Sequence, residues 1–174
     1  MRKLTNSMEF TNISEAEGFF ILKKVTNIPM VARVLPDMGL RLIIGNVKDV
    51  KITERNGFVH YEPKGDHTIA IDNGWTLFGD KHEHHNTELL ALKDEENIEK
   101  ILLNSKIIGI NFVKKFKVIS FVFDIGLEIS ITNPGDDGLY FKYYSNSDLS
   151  ENRIIGLNKD FNFVAITRED TLIA

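Results

Sequence analysis

Cysteine is absent from the chain, and this absence excludes two kinds of chemistry. No disulfide framework can form, and no thiol is available as a nucleophile or a metal ligand. A cysteine-free composition is typical of a reducing compartment. The first ten residues lack the apolar core of a secretory signal, and no run of about 18 apolar residues could cross a membrane as a helix. We therefore expect a cytoplasmic protein with no membrane association.

A basic excess is also lacking, because the formal net charge is −4. General nucleic-acid binders take much of their affinity from basic side chains that neutralise phosphates, so this balance argues against a nucleic-acid partner. This small acidic excess would suit a basic protein partner. The 174 residues, of which 43% are hydrophobic and 26% charged, fit one domain that folds without a metal or a disulfide.

Apolar and polar residues alternate most clearly over 106–168. Ile119, Phe121 and Phe123 recur at every second position, which is the period of a half-buried strand. Residues 133–138 (Asn-Pro-Gly-Asp-Asp-Gly) form the strongest loop signal in the chain. We predict that this half forms an antiparallel meander with one buried face.

The first half contains two hairpin signals, Asn56-Gly57 and Asn73-Gly74, because both central residues of a type I′ turn need positive φ. The strand pairs that they would join are 47–55 with 58–63, and 67–72 with 75–78. Trp75, after the second glycine, is predicted to anchor the core.

Two segments have helical signals. An aspartate N-cap followed by two glutamates predicts a helix near 94–103. Ser14 and Glu17 fit a capping box for a second helix reaching about Val25, although a strand over 19–25 is an alternative. The fold class that we predict is α+β and mostly β. Antiparallel meander sheets would form a sandwich or an open barrel, with one or two short helices.

A faint internal similarity relates segments 69–77 and 121–129, which both read strand, Asp-x-Gly, strand. Duplication would give two related β-units, about 30–92 and 105–170, joined by the helix near 94–103. Alternatively, any two hairpins with glycine turns share this pattern. A single domain covering 1–174 is expected on either interpretation.

All five histidines lie between His60 and His85. His82 and His84 would point to the same side of a strand, and Glu88 could add an oxygen ligand. Such a set suits a divalent transition metal, and an open coordination position would activate a bound water. Alternatively, residues 79–86 form a solvated surface loop, and the protein holds no cofactor.

The spacing of His82, His84 and Glu88 resembles the first metal motif of the cupin barrels, which reads His-x-His, three or four residues, then Glu. The resemblance is confined to residues 82–88. It implies a metal-binding cupin-like protein, or an enzyme, that uses these three side chains.

An aromatic strand near the C-terminus provides a candidate recognition surface. If alternate residues from Leu139 to Tyr143 face the core, then Tyr140, Lys142 and Tyr144 line the opposite face. Tyrosine offers a large contact area and a hydrogen-bonding tip, so we interpret these three residues as a protein-binding patch. The alternative is a second covered face of the sheet.

No catalytic residue is assigned, since the chain has no Gly-x-Ser-x-Gly elbow, phosphate-binding loop or dinucleotide fingerprint. The carboxylate pairs Glu95–Glu96 and Asp136–Asp137 are better explained by a helix start and a turn than by acid–base catalysis.

In size, acidity, absence of cysteine and repeated strand–Gly–strand units ending in aromatic strands, the chain resembles the small bacterial immunity proteins that neutralise toxins. The resemblance implies a non-enzymatic module that binds a toxin domain one to one through exposed carboxylates and tyrosines. Pairing of exposed strand edges into a homo-oligomer is a further alternative.

Overall fold

The computed structural model describes residues 5–37, 39–72, 74–79, 82–85, 92–145 and 154–171. The strands are β1 Thr5–Asn12, β2 Met30–Val34, β3 Leu40–Ile44, β4 Lys48–Thr53, β5 Val59–Lys64, β6 His67–Ile71, β7 Trp75–Gly79, β8 His82–His85, β9 Ile107–Val113, β10 Val118–Phe123, β11 Leu127–Ile131, β12 Leu139–Ser145, β13 Ile154–Asn158 and β14 Phe163–Thr171. The helices are α1 Glu15–Leu22 and α2 Leu92–Leu102.

These strands form two large antiparallel sheets and a separate hairpin. The first sheet has seven strands in the order β1-β14-β13-β12-β6-β3-β2, and the second has five in the order β8-β7-β11-β10-β9. The hairpin pairs β4 with β5. Within the described residues no sheet closes into a barrel, and the prediction of a mostly β, antiparallel fold with two short helices is confirmed.

The two large sheets bury their apolar faces in one shared core. Alternate residues of β11 are buried, as are the apolar residues Ile119, Phe121 and Phe123 of β10, in the period-two pattern of a strand. Phe121 of the five-stranded sheet meets Phe141 of the seven-stranded sheet edge to face, with ring centroids 5.8 Å apart. Trp75 lies in the same core at 1% exposure, which confirms its predicted role.

The helices close two sides of this arrangement. Ser14 caps α1 by accepting a hydrogen bond from Glu17 N at 3.1 Å, so the predicted capping box is confirmed on the serine side. The helix ends at Leu22 and a 3₁₀ turn covers Lys23–Val25. The second helix begins at Leu92, before the predicted N-cap, and packs on β2. No helix among the described residues has the length and apolar character needed to cross a membrane.

The predicted hairpin at Asn73-Gly74 is wrong in its pairing. Strands β6 and β7 form on either side of this turn, but β6 belongs to the seven-stranded sheet and β7 to the five-stranded sheet. Gly74 adopts φ +71° and its carbonyl oxygen accepts from Thr132 N at 3.1 Å. The chain therefore passes from one sheet to the other at this glycine, beside the loop that follows β11.

The predicted C-terminal meander is also divided between the sheets. Strands β9, β10 and β11 are consecutive neighbours in the five-stranded sheet, whereas β12, β13 and β14 lie in the seven-stranded sheet. Each large sheet contains strands from both of the segments 30–92 and 105–170. These segments therefore do not fold as separate layers.

Candidate functional site

The β4–β5 hairpin is an excursion from the seven-stranded sheet. It leaves after β3 and returns at β6, and these two strands are direct neighbours in that sheet. Gly45 turns the chain outward with φ +96°, and the adjacent Asn46 N donates to Asp66 Oδ2 at 3.0 Å. A Cβ on Gly65 would lie 2.5 Å from Ile44 O, so this position has no room for a side chain. The base of the hairpin is thus fixed where the two connections meet.

Neither face of this hairpin is buried. Tyr61 is 67% exposed, Phe58 is 59% exposed and Val59 is 43% exposed. The register explains the exposure, because Lys51 lies opposite Tyr61 and Val50 opposite Glu62. Each of these cross-strand pairs combines an apolar or aromatic residue with a charged one. The hairpin consequently has no uniformly apolar face to pack on the core.

His60 organises the end of the hairpin. Its Nε2 lies 2.9 Å from Glu62 Oε1 and its Nδ1 lies 3.8 Å from Glu54 Oε1. The imidazole also stacks on Phe58 with ring centroids 5.7 Å apart. Two carboxylates and two aromatic rings, counting the imidazole, are therefore held together near the loop of the hairpin.

The predicted hairpin at Asn56-Gly57 is confirmed, but its turn is not the expected type I′. Gly57 has φ +83°, whereas Asn56 is not among the residues with positive φ. The Asn56 side chain instead accepts from Phe58 N at 2.9 Å. Only one of the two positions needs the left-handed conformation, because the asparagine supports the loop through its side chain.

A groove of about 620 Å³ lies between β5 and the outer face of the seven-stranded sheet. Its volume is in the range of sites that receive small molecules or short peptide segments. The lining residues are Arg33, Val34, Leu35, Arg41, Ile43, Tyr61, Glu62, Pro63, Lys64, Thr68, Glu99 and Tyr144. Both signs of charge and two tyrosines therefore face the same concavity.

Ion pairs fix the charged side chains of the groove at the α2 end. Glu99 projects from α2, and its Oε1 accepts from Val34 N at 3.0 Å while its Oε2 lies 3.5 Å from Arg33 Nη1. The carboxylate thus occupies the place of a strand carbonyl at the edge of β2. It covers that edge and at the same time orients an arginine of the groove.

A second ion-pair chain crosses the outer face of the sheet. Arg41 Nη2 and Lys142 Nζ lie 3.6 Å from Asp72 Oδ1 and Oδ2 respectively, and Lys142 Nζ lies 2.8 Å from Asp137 Oδ2. Burial by itself lowers the pKa of Lys142, but the hydrogen bond and charge of Asp137 and the charge of Asp72 outweigh it. The pKa of Lys142 is therefore raised and the amine stays charged.

The structure separates Tyr140 from the other two residues of the predicted tyrosine patch. Tyr144 lines the groove, and Lys142 takes part in the ion-pair chain. Tyr140 is only 4% exposed and its ring meets Phe161 edge to face at 5.2 Å. Its predicted place on the exposed face is wrong, because the register between β12 and β13 shifts between Leu139 and Lys142. A β-bulge of this kind puts two successive side chains on one side of a strand.

The predicted metal ligands are only partly covered by the structure. His82 and His84 lie in β8, where they pair with Gly79 and Leu77 of β7, so the strand assumed for them exists. Glu88 lies outside the described residues. Within the described part of the chain no three histidine, aspartate or glutamate side chains are grouped as a metal would require. The metal site and its cupin-like ligand set remain predictions.

A histidine–tyrosine pair that sequence reasoning missed lies at the end of β6. His67 Nδ1 is 2.9 Å from the Tyr143 hydroxyl, and the rings stack with centroids 5.8 Å apart. Burial lowers the pKa of His67 against the opposing charge of Asp66, and Lys24 lowers it further. Burial also raises the pKa of Tyr143. The pair is therefore neutral near pH 7 and serves as a structural contact.

Sequence reasoning also missed the groove, although one signal could have indicated it. Once the hairpin is closed at residue 57, Val50 lies opposite Glu62 and Tyr61 lies opposite Lys51. This pattern excludes a buried face.

Comparison of the chain with family models, curated proteins and solved structures gave no match.

Proposed function

We propose that the protein is a non-enzymatic protein-binding module of the immunity or inhibitor type, and that a basic partner docks on the β4–β5 hairpin and the groove beside it. The single observation that carries the proposal is the exposure of Tyr61, Phe58 and Val59 on a hairpin that buries neither of its faces. These side chains contribute little to the core of the fold. They are held out where another protein can reach them.

The hairpin offers a partner side chains of both charge signs, since residues 48–64 contain three acidic and four basic residues. Glu54 and Glu62 are about half exposed, at 49% and 53%, and flank the aromatic residues. Tyrosine is enriched among the residues that carry most of the binding energy of protein interfaces. The net charge of −4 adds long-range attraction for a basic protein, which speeds association. A toxin domain, as the resemblance to immunity proteins implies, would meet these requirements.

The groove adds a place for a protruding side chain or loop of that partner. Its walls include Arg33 and Arg41, which are already paired with Glu99 and Asp72. Their geometry is therefore set before a partner arrives, which reduces the entropic cost of binding.

Photo-crosslinking tests the proposal directly. A photoreactive phenylalanine analogue replaces Tyr61, and in a matched variant it replaces Phe20, which is 70% exposed on α1 and distant in the chain. We expect one discrete adduct in the source cells from position 61 and none from position 20. The captured protein is then purified and titrated into the wild-type chain by calorimetry.

The calorimetric result decides the matter. We expect a one-to-one complex that Tyr61→Ala weakens by about 30-fold, the effect of losing about 2 kcal/mol at an interface hot spot. Phe20→Ala should leave the affinity unchanged. Equal weakening by both substitutions, or no effect of Tyr61→Ala, would show that the hairpin is not the docking surface.

A second candidate function is a transition-metal site at His82 and His84. It is favoured by one observation, that 82–85 is a strand, in which residues two apart share a side. Elemental analysis of untagged protein should then find bound metal that is lost in His82→Ala with His84→Ala. Wild-type protein purified without metal, or metal retained by the double variant, would remove this candidate.

A further inference from the structure

Most exposed strand edges of this protein are protected against pairing with a strand of another molecule. The strands β1, β4, β5 and β8 contain charged residues, among them Glu9, Lys51, Glu62 and Glu83. The edge of β2 is covered by α2, whose Glu99 accepts from Val34 N. Charged residues and covering helices are the usual means by which proteins prevent edge pairing. Among the edge strands that the structure describes, β9 alone contains neither a charged residue nor a proline, over its seven residues.

One side of β9 is paired with β10, with a register shift at Ile108, and the strand ends the five-stranded sheet. Only the start of its other side is occupied among the described residues, where Ile107 O accepts from Asn27 N at 2.8 Å. Farther along the strand, Ile108 is 55% exposed and Val113 is 41% exposed. The edge therefore offers main-chain groups beside exposed aliphatic side chains.

The core holds this edge in a fixed position. Phe112 of β9 stacks on Phe161 and Phe163, with centroids 4.6 and 5.6 Å apart, and meets Phe19 edge to face at 5.2 Å. A strand anchored in this way is already extended. A partner strand can add to it without a prior rearrangement, so the entropic cost of binding is small.

Lysines stand at both ends of β9. Lys106 precedes the strand, and Lys114 and Lys115 follow it directly. If a second copy paired antiparallel about the centre of the strand, Lys106 would lie opposite Lys114 of that copy. Parallel self-pairing would bring like ends together. Like charges opposite each other destabilise a strand pair, so the charge pattern disfavours a second copy and favours a strand with acidic ends.

We propose that the β9 edge receives an extended segment of a partner protein, apolar at alternate positions and acidic at both ends, which adds as a sixth strand. Main-chain hydrogen bonds supply the affinity in this mode, and alternate side chains supply the specificity. The site is independent of the groove, since it lies on the other large sheet. Success or failure of either proposal leaves the other standing.

Synthetic peptides test this edge without knowledge of the partner. Three short peptides share an alternating Val/Thr centre: one has acidic ends, one has lysine ends, and one has acidic ends and N-methylated backbone amides. We expect the first to slow hydrogen exchange of β9 amides between Ile108 and Val113. The second should not bind, because its charges oppose Lys106 and Lys114. The third should not bind, because it lacks backbone donors while keeping the charge.

Variants of the chain complete the test. Ile108→Ser should weaken the acidic peptide by about tenfold, whereas Ile125→Ser, at a turn residue of similar exposure in the same sheet, should not. Lys106→Glu with Lys114→Glu should reverse the preference, so that the lysine-ended peptide binds more tightly than the acidic-ended peptide. Equal binding of the N-methylated peptide, protection at another strand, or an unchanged charge preference would each overturn the proposal. So would a dimer in sedimentation that Ile108→Ser dissociates, because a second copy would then occupy the edge.

Discussion

Replacement of Gly18 by alanine should change the stability of the protein through two opposing effects, a gain in helix propensity and a loss from overpacking of the core. The residue lies in the middle of α1, where alanine is favoured over glycine by about 1 kcal/mol of helix propensity. The position is buried, however, against the ring of Phe163. A Cβ at residue 18 would lie 2.6 and 2.7 Å from the two Cδ atoms of that ring and closer still to Cγ.

These distances decide whether Gly18→Ala raises or lowers the free energy of unfolding. Carbon atoms in contact are about 3.5–4.0 Å apart, so the ring of Phe163 or the helix must move by about 1 Å. That ring is in turn packed against Phe19 and Phe112, with centroids 5.3 and 5.6 Å away. Overpacking of a filled core costs about 1–3 kcal/mol, and the change here is at the upper end. After the gain in propensity, we expect Gly18→Ala to lower the free energy of unfolding by about 1–2 kcal/mol.

Urea denaturation measures this difference, and the slope of the transition should not change. Ala16→Gly, at an exposed site of the same helix, isolates propensity and should cost about 1 kcal/mol. Combining Gly18→Ala with Phe163→Leu should cost less than the two single changes together, since the smaller side chain makes room. A Gly18→Ala protein as stable as wild type, or more stable, would refute the reasoning from the close approach of α1 and β14.

Three further changes test the groove and its surroundings. Glu99→Ala should speed hydrogen exchange of the Val34 amide by removing its acceptor at 3.0 Å, whereas Glu99→Gln, which keeps an oxygen, should not. Asp137→Asn should lower the free energy of unfolding by about 1 kcal/mol, because Lys142 loses its nearest carboxylate. Asp137→Ala should lower it further, because Leu139 N also loses its acceptor. Thermal unfolding of both variants measures the difference. The lowered pKa of His67 means that the unfolded chain binds more protons below about pH 6.5, so wild-type stability should fall from about pH 7 toward pH 5 more than that of His67→Asn in urea titrations at several pH values.

Local signals predicted the strands and the start of α1, because those features depend on near neighbours. The alternation of Ile119, Phe121 and Phe123 appears as buried positions of β10, and Ser14 caps α1 as its sequence context indicates. The bulge in β12 could not be predicted in the same way. One extra residue there reverses the inside–outside pattern, and alternation alone gives no warning of it. The prediction of an exposed Tyr140 is wrong for this reason.

Pairing between strands was harder, as two similar turns show. Asp72-Asn73-Gly74 and Asp124-Ile125-Gly126 both end in a glycine with positive φ, +71° and +78°. The second turn closes the β10–β11 hairpin, and a Cβ at Gly126 would meet nothing within 4 Å. A Cβ at Gly74 would lie 2.7 Å from Asn133 O, because the chain there crosses between sheets beside another loop. A glycine with positive φ thus occurs in both topologies, and contacts distant in sequence decide between them.

The hairpin over the groove owes little of its stability to the core. A two-stranded hairpin alone is marginally stable, so β4 and β5 depend on their fixed base and on the contacts of His60 with Glu54 and Glu62. The apolar area of Tyr61 contributes little to that stability, since the residue is 67% exposed. Substitution of Tyr61 should therefore leave unfolding nearly unchanged while it weakens partner binding. A residue that affects binding without affecting folding is what a docking surface requires, and an aromatic residue needed only for the fold would show the opposite behaviour.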